Sequence, residues 1–500
     1  MKKTSENLHE LIKSMNKSEK GYFLKHAAKY NNNNQYIKLF KAIDSQEIYD
    51  ENRIRESLKN EPFIKQLHVA KRYLFNALMK SLYLYSGQNS LNYQFSEAVS
   101  SIAHLYNRGL CDESLKLILK CKKDAYDLQK YDCLPELIRW QKYILLNTLT
   151  ADVPGLLKKL SDEEKRIIEI ISDIFRYREL YIRIYSHIRL EGSARNEEQE
   201  NEYKNIMKDP LLKSIESASC YESKLLYYQV HLVYSQAEAD DKSIYQNSGE
   251  LIELMDKYPV RINDFLKEYV FALIENLSAA FNLGKFKEAL NIISYIRSLD
   301  IKSREEKEYI FMSTYIIQFM INIVSCKFNE AALLIPEAES QLKKLRRKNI
   351  KAAELILYQN IFYVYFALGN YSKALEWINK ILSTKLEIRR DIYSLAHIFS
   401  LLVHYELNNL ELLSYAVVNT YRYLYKRKNL YKFEEVLLRF LRRISGADDI
   451  KDEFKFLKSE ILKLMEDPYE RIPLSYFDFI SWLDSKITGK SFIEAKKSNL

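Results

Sequence analysis

The chain is predicted to be all-α, and three observations predict it. Ten glycines and eight prolines in 500 residues fall far below the usual ~7% and ~5%. Tight-turned sheets, glycine-rich phosphate loops and disordered linkers therefore lack the residues that supply their backbone cheaply. A hydrophobic fraction of 47% beside 29% charged residues is a soluble balance able to bury a large core. Long stretches place apolar residues at the spacing of one helix face. The length allows about three ordinary domains.

The first segment, residues 1–86, reads as a basic helical domain. It holds 16 Lys and Arg against 9 Asp and Glu, so +7 of the chain's net +9 lies there. Ser14-Met15-Asn16-Lys17-Ser18-Glu19-Lys20 is a cap-like helix start, Asn31 to Asn34 a polar break, and several short helices lead to a last one over Phe63 to Tyr85. At 100° per residue Phe63, Leu67, Ala70, Leu74, Leu78, Leu82 and Tyr85 fall on one side of that helix, and Lys65, His68, Arg72, Asn76 and Lys80 on the other. The basic side could lie along a phosphate backbone, which makes Lys65, His68, Arg72 and Lys80 candidate nucleic-acid contacts; a solvated face of a capping helix is the plain alternative. The order of short helix, turn and long helix resembles a helix-turn-helix or winged-helix module.

Residues 87–260 form a less regular run of helical hairpins. Leu91 to Asn107, Gly109 and Asp112 to Leu128 make one. Leu134 to Leu149 ends at Asp152-Val153-Pro154-Gly155, after which Ser161 is a candidate N-cap for a helix reaching Leu190. Gly192 to Asn201 is polar enough to be a surface loop or hinge. Tyr221 to Ala239 and Lys242 to Lys257 pair before Pro259.

A repeat runs through residues 261–445. Leu283-Gly284-Lys285-Phe286-Lys287-Glu288-Ala289 aligns with Leu368-Gly369-Asn370-Tyr371-Ser372-Lys373-Ala374. Between them Ser325-Cys326-Lys327-Phe328 fits with Cys in the glycine place, and Leu407-Asn408-Asn409-Leu410 is a degenerate fourth copy, giving steps of 42, 43 and 39 residues. A residue tolerant of positive φ ends one helix, the aromatic two places on staples the turn, and the following Ala lets the second helix approach closely. Helical stretches over Arg261 to Leu283, Glu305 to Cys326, Ile350 to Leu368 and Ile388 to Leu407 precede the turns. Tyr309 to Cys326 carries no charge, but its Ser, Thr, Gln and Asn residues suit a buried helix better than a membrane span.

The Gly, aromatic and Ala spacing resembles the second half of the tetratricopeptide repeat (TPR). The resemblance implies an α-solenoid of helical hairpins, here with a period of about 42 rather than about 34 and with Leu277, Phe319 and Phe362 where the family has a small residue. It also implies a concave groove lined by the first helix of each pair. Carried over residue by residue, that nominates Gln359, Asn360, Tyr363 and Phe366 in one copy, and Ile274, Glu275, Ser278, Phe281 and Asn282 in another. The Lys and Asn with which some members clamp a peptide carboxylate are replaced by Ile274, Ile316 and Gln359. Leu11-Ile12-Lys13-Ser14 with Lys17-Ser18-Glu19-Lys20 is similar to the start of uncharacterised bacterial TPR-like proteins, from which no activity follows. Residues 446–500 are expected to be C-terminal capping helices.

Enzyme chemistry is not expected. Five cysteines without a C-x-x-C pair suggest neither disulfides nor a zinc site. His397 and His404, seven apart, suit a metal poorly, and Asp240-Asp241 and Asp448-Asp449 read as turn caps. Gly489-Lys490-Ser491 lacks the earlier glycine and the strand of a phosphate loop. The expectation is a cytoplasmic scaffold or adaptor without cofactor or metal, binding a protein or peptide in the groove with help from its 39 tyrosines. The alternative is a nucleic-acid-binding regulator touching DNA or RNA through residues 1–86. No membrane partner is expected.

Overall fold

The computed structural model of the chain describes residues 4–30, 35–86, 90–147, 152–191, 203–301, 303–345, 351–384, 390–426, 430–444, 450–467, 470 and 472–499. Among them the regular structure is entirely helical, without a strand. The chain divides into two compact units, residues 1–279 and 280–500.

The first unit opens with α1 (Thr4–Ser14), α2 (Lys17–Tyr30), α3 (Gln35–Asp44), α4 (Glu51–Ser57) and α5 (Leu67–Ser86). Their apolar faces close around Leu8, Ile12, Phe23, Leu39, Phe40, Ile43, Ile54, Leu74 and Leu78. The cap expected before α2 is present. Glu19 N–H donates to the Asn16 side chain at 2.9 Å, and Asn16 N–H donates to the Glu19 carboxylate at 2.8 Å, satisfying two otherwise orphaned donors. Asn31 to Asn34 lie outside the described residues.

α6 (Leu91–Asn107) and α7 (Cys111–Asp127) form the expected hairpin about Gly109, followed by α8 (Leu134–Leu146) and the 39-residue α9 (Val153–Glu191). Ser161 is not the cap of α9, which runs straight through it. The helix starts at the break itself because Pro154 stands in its first turn, where a missing N–H costs nothing, and Asp152 accepts from Gly155 N–H at 3.2 Å. Gly192 to Asn201 lie outside the described residues. α10 (Tyr221–Ala237), α11 (Asp241–Asp256), α12 (Pro259–Ile262) and α13 (Leu266–Asn282) complete the run, with Asp240 capping α11 through its carboxylate.

Beyond α13 the order is α14 (Phe286–Ser298), α15 (Arg304–Val324), α16 (Phe328–Leu342), α17 (Lys351–Ala367), α18 (Tyr371–Leu382), α19 (Arg390–Glu406), α20 (Leu410–Lys426), α21 (Lys432–Arg443) and α22 (Ile450–Leu464). Three short helices follow: α23 (Ile472–Tyr476), α24 (Phe479–Thr488) and α25 (Phe492–Ser498). The aligned turn residues Gly284, Cys326, Gly369 and Asn408 all take positive φ, at 72°, 55°, 72° and 58°. After each, the next N–H donates to the carbonyl five residues back: Lys285 to Ala280 at 2.9 Å, Lys327 to Asn322 at 2.8 Å, Asn370 to Tyr365 at 2.9 Å and Asn409 to His404 at 3.0 Å. This bond satisfies a carbonyl that the helix end leaves bare, and it requires the left-handed residue before it. Ala289, Ala331 and Ala374 are fully buried, as a close approach of the second helix demands. Among the described residues no helix is long and apolar enough to cross a membrane.

The C-terminal helices supply core. Phe477, Phe479, Trp482 and Phe492 join the cluster formed by α15 to α22, and the Glu406 carboxylate on α19 accepts from Trp482 Nε1 at 2.7 Å and from Lys486 Nζ at 2.6 Å.

Candidate functional site

The groove positions nominated on α17 are interior. Gln359, Tyr363 and Phe366 are all buried, and what covers them is the chain between Tyr476 and Phe492. Gln359 Nε2 donates to the Tyr476 carbonyl at 3.3 Å, and the Tyr363 hydroxyl accepts from Asp478 N–H at 3.1 Å. The ring of Phe477 lies 4.9 Å from that of Tyr363, 5.0 Å from Phe366 and 5.6 Å from Phe399. Half-buried Asn360 donates to the Ile316 carbonyl at 3.5 Å. The family-derived expectation of an open groove here is thus corrected. Burial raises the Tyr363 phenol well above its ordinary pKa. Asp478 is half-buried, and the desolvation alone would raise its carboxyl, but Lys496 at 2.9 Å and Ser481 hold it below the usual range.

On α13, Ile274 is buried while Glu275, Ser278 and Phe281 are half-buried and Asn282 is exposed. Ser278 Oγ turns back to the Ile274 carbonyl at 2.9 Å. Burial pushes the Glu275 carboxyl up, against a hydrogen bond from Gln236.

α5 behaves as its periodicity requires. A short 3₁₀ turn at Pro62–Gln66 leads into it, and its sequence contains no Gly or Pro. Leu67, Ala70, Leu74 and Leu78 are buried in the first-unit core. Lys65, His68, Arg72, Asn76 and Lys80 are exposed. Among the described residues none of Lys65, Arg72 and Lys80 forms an ion pair. No carboxylate occurs between Leu67 and Ser86, so the helix carries no acid beside these cations.

Sequence reasoning missed two features of this helix. Tyr73, Phe75, Met79 and Tyr83 are also exposed, interleaving large apolar groups with the cations; the signal lay in the four-residue spacing of Phe75, Met79 and Tyr83. Lys71, beside Arg72 in sequence, points the other way. It is buried, pairs with Glu51 at 2.6 Å and donates to the Tyr49 hydroxyl. The Lys71 hydrogen bond, then that of Arg55, draws the Glu51 carboxyl down to about 2.

The residues screened for chemistry have structural surroundings. The His397 ring lies 4.3 Å from that of Tyr423, His404 contacts Asn409, and burial lowers the pKa of both imidazoles. Gly489, at φ 76°, ends α24, and Ser491 caps α25. Asp448 and Asp449 lie outside the described residues. Among the described residues no three of His, Cys, Asp and Glu stand together as a metal site would need. Comparison of the chain with protein-family models, with curated proteins and with solved structures finds no match.

Proposed function

We propose that this protein is a non-catalytic binding protein, a TPR-like solenoid with a repeat of about 42 residues beyond residue 261 and a helical N-terminal cap, and that the cap binds nucleic acid through α5. The recurrence of a left-handed turn residue at 284, 326, 369 and 408 supports the repeat. The observation that carries the functional reading is the outward face of α5. It presents His68, Arg72 and Lys80, with Lys65 on the turn just before it, without a carboxylate on the helix and with Tyr73, Phe75 and Tyr83 among them. Cations outside ion pairs release counterions when they meet phosphates, which favours a polyanion over a neutral or basic partner. Aromatic rings beside them add apolar contact area against the sugars of the backbone. Capture of a protein segment in the α17 groove is the weaker reading, because Gln359 and Tyr363 already hold Tyr476 and Asp478. Five free cysteines go with a reducing, cytoplasmic compartment.

Fluorescence anisotropy with labelled duplexes of unrelated sequence tests the reading. Binding that is similar for each duplex and weakens steeply with salt is expected; no binding at about 50 mM salt ends it.

A further inference from the structure

The second unit carries a different surface, on α20. Leu413, Val417, Thr420 and Leu424 bury one side of this helix. Its opposite side bears Tyr415, Val418, Arg422 and Tyr425, at steps of three, four and three residues, all exposed. Tyr415 is 70% exposed and Tyr425 67%, high values for rings this large. Tyr421 stacks on Tyr425, their centroids 6.1 Å apart and their planes within 9° of parallel, so flat faces are held in order along the helix. Residues 412–433 contain five tyrosines and five basic residues and no Asp or Glu; the one carboxylate of the helix, Glu411, is exposed in its first turn. Among the described residues neither Arg422 nor Lys426 forms an ion pair.

We propose that this face of α20 is a docking site for single-stranded nucleic acid. A strand offers a π surface on every base for the tyrosines and a negative charge on every linkage for Arg422 and Lys426. From Tyr415 to Tyr425 the helix rises about 15 Å, the length of a few nucleotides, and Arg422 and Lys426 stand where the phosphates between stacked bases would pass. A duplex hides its base faces and leaves the rings nothing to stack on. An anionic membrane would meet the cations, but the only aliphatic side chains on this side are Leu412 and Val418, and an interfacial helix buries a broad apolar face. The site shares no residue with α5 and is tested apart from it.

The experiment compares oligo(dT), a duplex and phosphatidylserine vesicles as probes of the full chain. The double variant Tyr415→Ala/Tyr425→Ala removes one or two base-stacking platforms and should weaken oligo(dT) binding by roughly tenfold or more, with duplex binding and melting temperature unchanged. Arg422→Glu, which keeps the rings, should weaken it as well. The same weakening should persist in a Lys65→Glu/Arg72→Glu/Lys80→Glu background, so the α20 site can stand if the α5 reading falls, and the reverse holds because duplex binding reports α5. Oligo(dT) binding unaffected by these substitutions, or absent in the unaltered protein, overturns the proposal. Tyrosine-dependent binding of the vesicles in place of the oligonucleotide overturns it too.

Discussion

The hydroxyl of Tyr363 on α17 accepts a hydrogen bond of 3.1 Å from the backbone N–H of Asp478, 115 residues further along the chain. Beside it, Phe477 is enclosed by Tyr363, Phe366, Phe399 and Phe492. The helix face that a TPR-like geometry would leave open for a ligand is here covered by the segment around Phe477. A buried amide without an acceptor is costly, so Tyr363 serves as an acceptor for the returning backbone as well as a packing ring.

Truncating Phe477 should therefore act as a core mutation. Phe477→Ala is expected to cost about 3–5 kcal/mol, lowering the melting temperature of the second unit by roughly 10 °C. Tyr363→Phe, which keeps the ring, should cost about 1–3 kcal/mol and speed hydrogen exchange at the Asp478 amide. A Tyr363→Ala protein that melts like the unaltered one would return this residue to an open groove.

A second expectation concerns pH. Burial, reinforced by the charge of Glu470, raises the Glu434 carboxyl from its ordinary 4.5 to about 7. The unfolded chain releases this proton near pH 4.5 and the folded one near pH 7, so over that window the folded state binds more protons and loses stability as pH rises. Glu434→Gln keeps an acceptor for Tyr431 N–H and removes the titration. It should gain up to a few kcal/mol over the unaltered protein above pH 7 and lose that advantage at pH 4, as read from denaturant midpoints. Parallel stability curves across pH 4 to 8 would contradict it.

Two lysines on α5 separate the inner from the outer side. Lys71 is buried against Glu51 and Tyr49, whereas Lys80 is exposed. Because Glu51 is partly open to water, Lys71→Ala should cost about 1–3 kcal/mol rather than the larger penalty of a fully enclosed pair. Lys80→Ala should stay within about 0.5 kcal/mol. Thermal melts of the two variants that coincide would show that α5 does not sit with Lys71 inward.

What the sequence disclosed is what local chemistry controls. The turns at Gly284, Cys326, Gly369 and Asn408 were legible because each needs a residue tolerant of positive φ followed by an aromatic or apolar staple, and even Cys326 was found by its neighbours Lys327 and Phe328. The sides of α5 were legible because a 100° period sorts Leu67, Leu74 and Leu78 from Lys65, Arg72 and Lys80. The cover over Gln359 and Tyr363 was not, since it depends on a segment more than 110 residues away that follows no repeat. The dense aromatic run of Tyr476, Phe477, Phe479 and Trp482 was the available hint: so many rings need an apolar partner surface. The start of α9 was misplaced because Ser161 has a cap's composition, while Asp152 and Pro154 make an earlier start that is equally sound.

The most direct measurement of the functional claim is the salt dependence of duplex binding by the unaltered protein and by Lys65→Glu/Arg72→Glu/Lys80→Glu, with melting temperature recorded for both. If these three side chains meet phosphates, the variant should bind every duplex more weakly. Its plot of log K against log salt should flatten by about one unit for each phosphate no longer neutralised, about three in all, with the melting temperature unchanged. Equal affinities and equal slopes, or no duplex binding by the unaltered protein at low salt, would contradict the claim and leave the basic side of α5 as a solvated helix face.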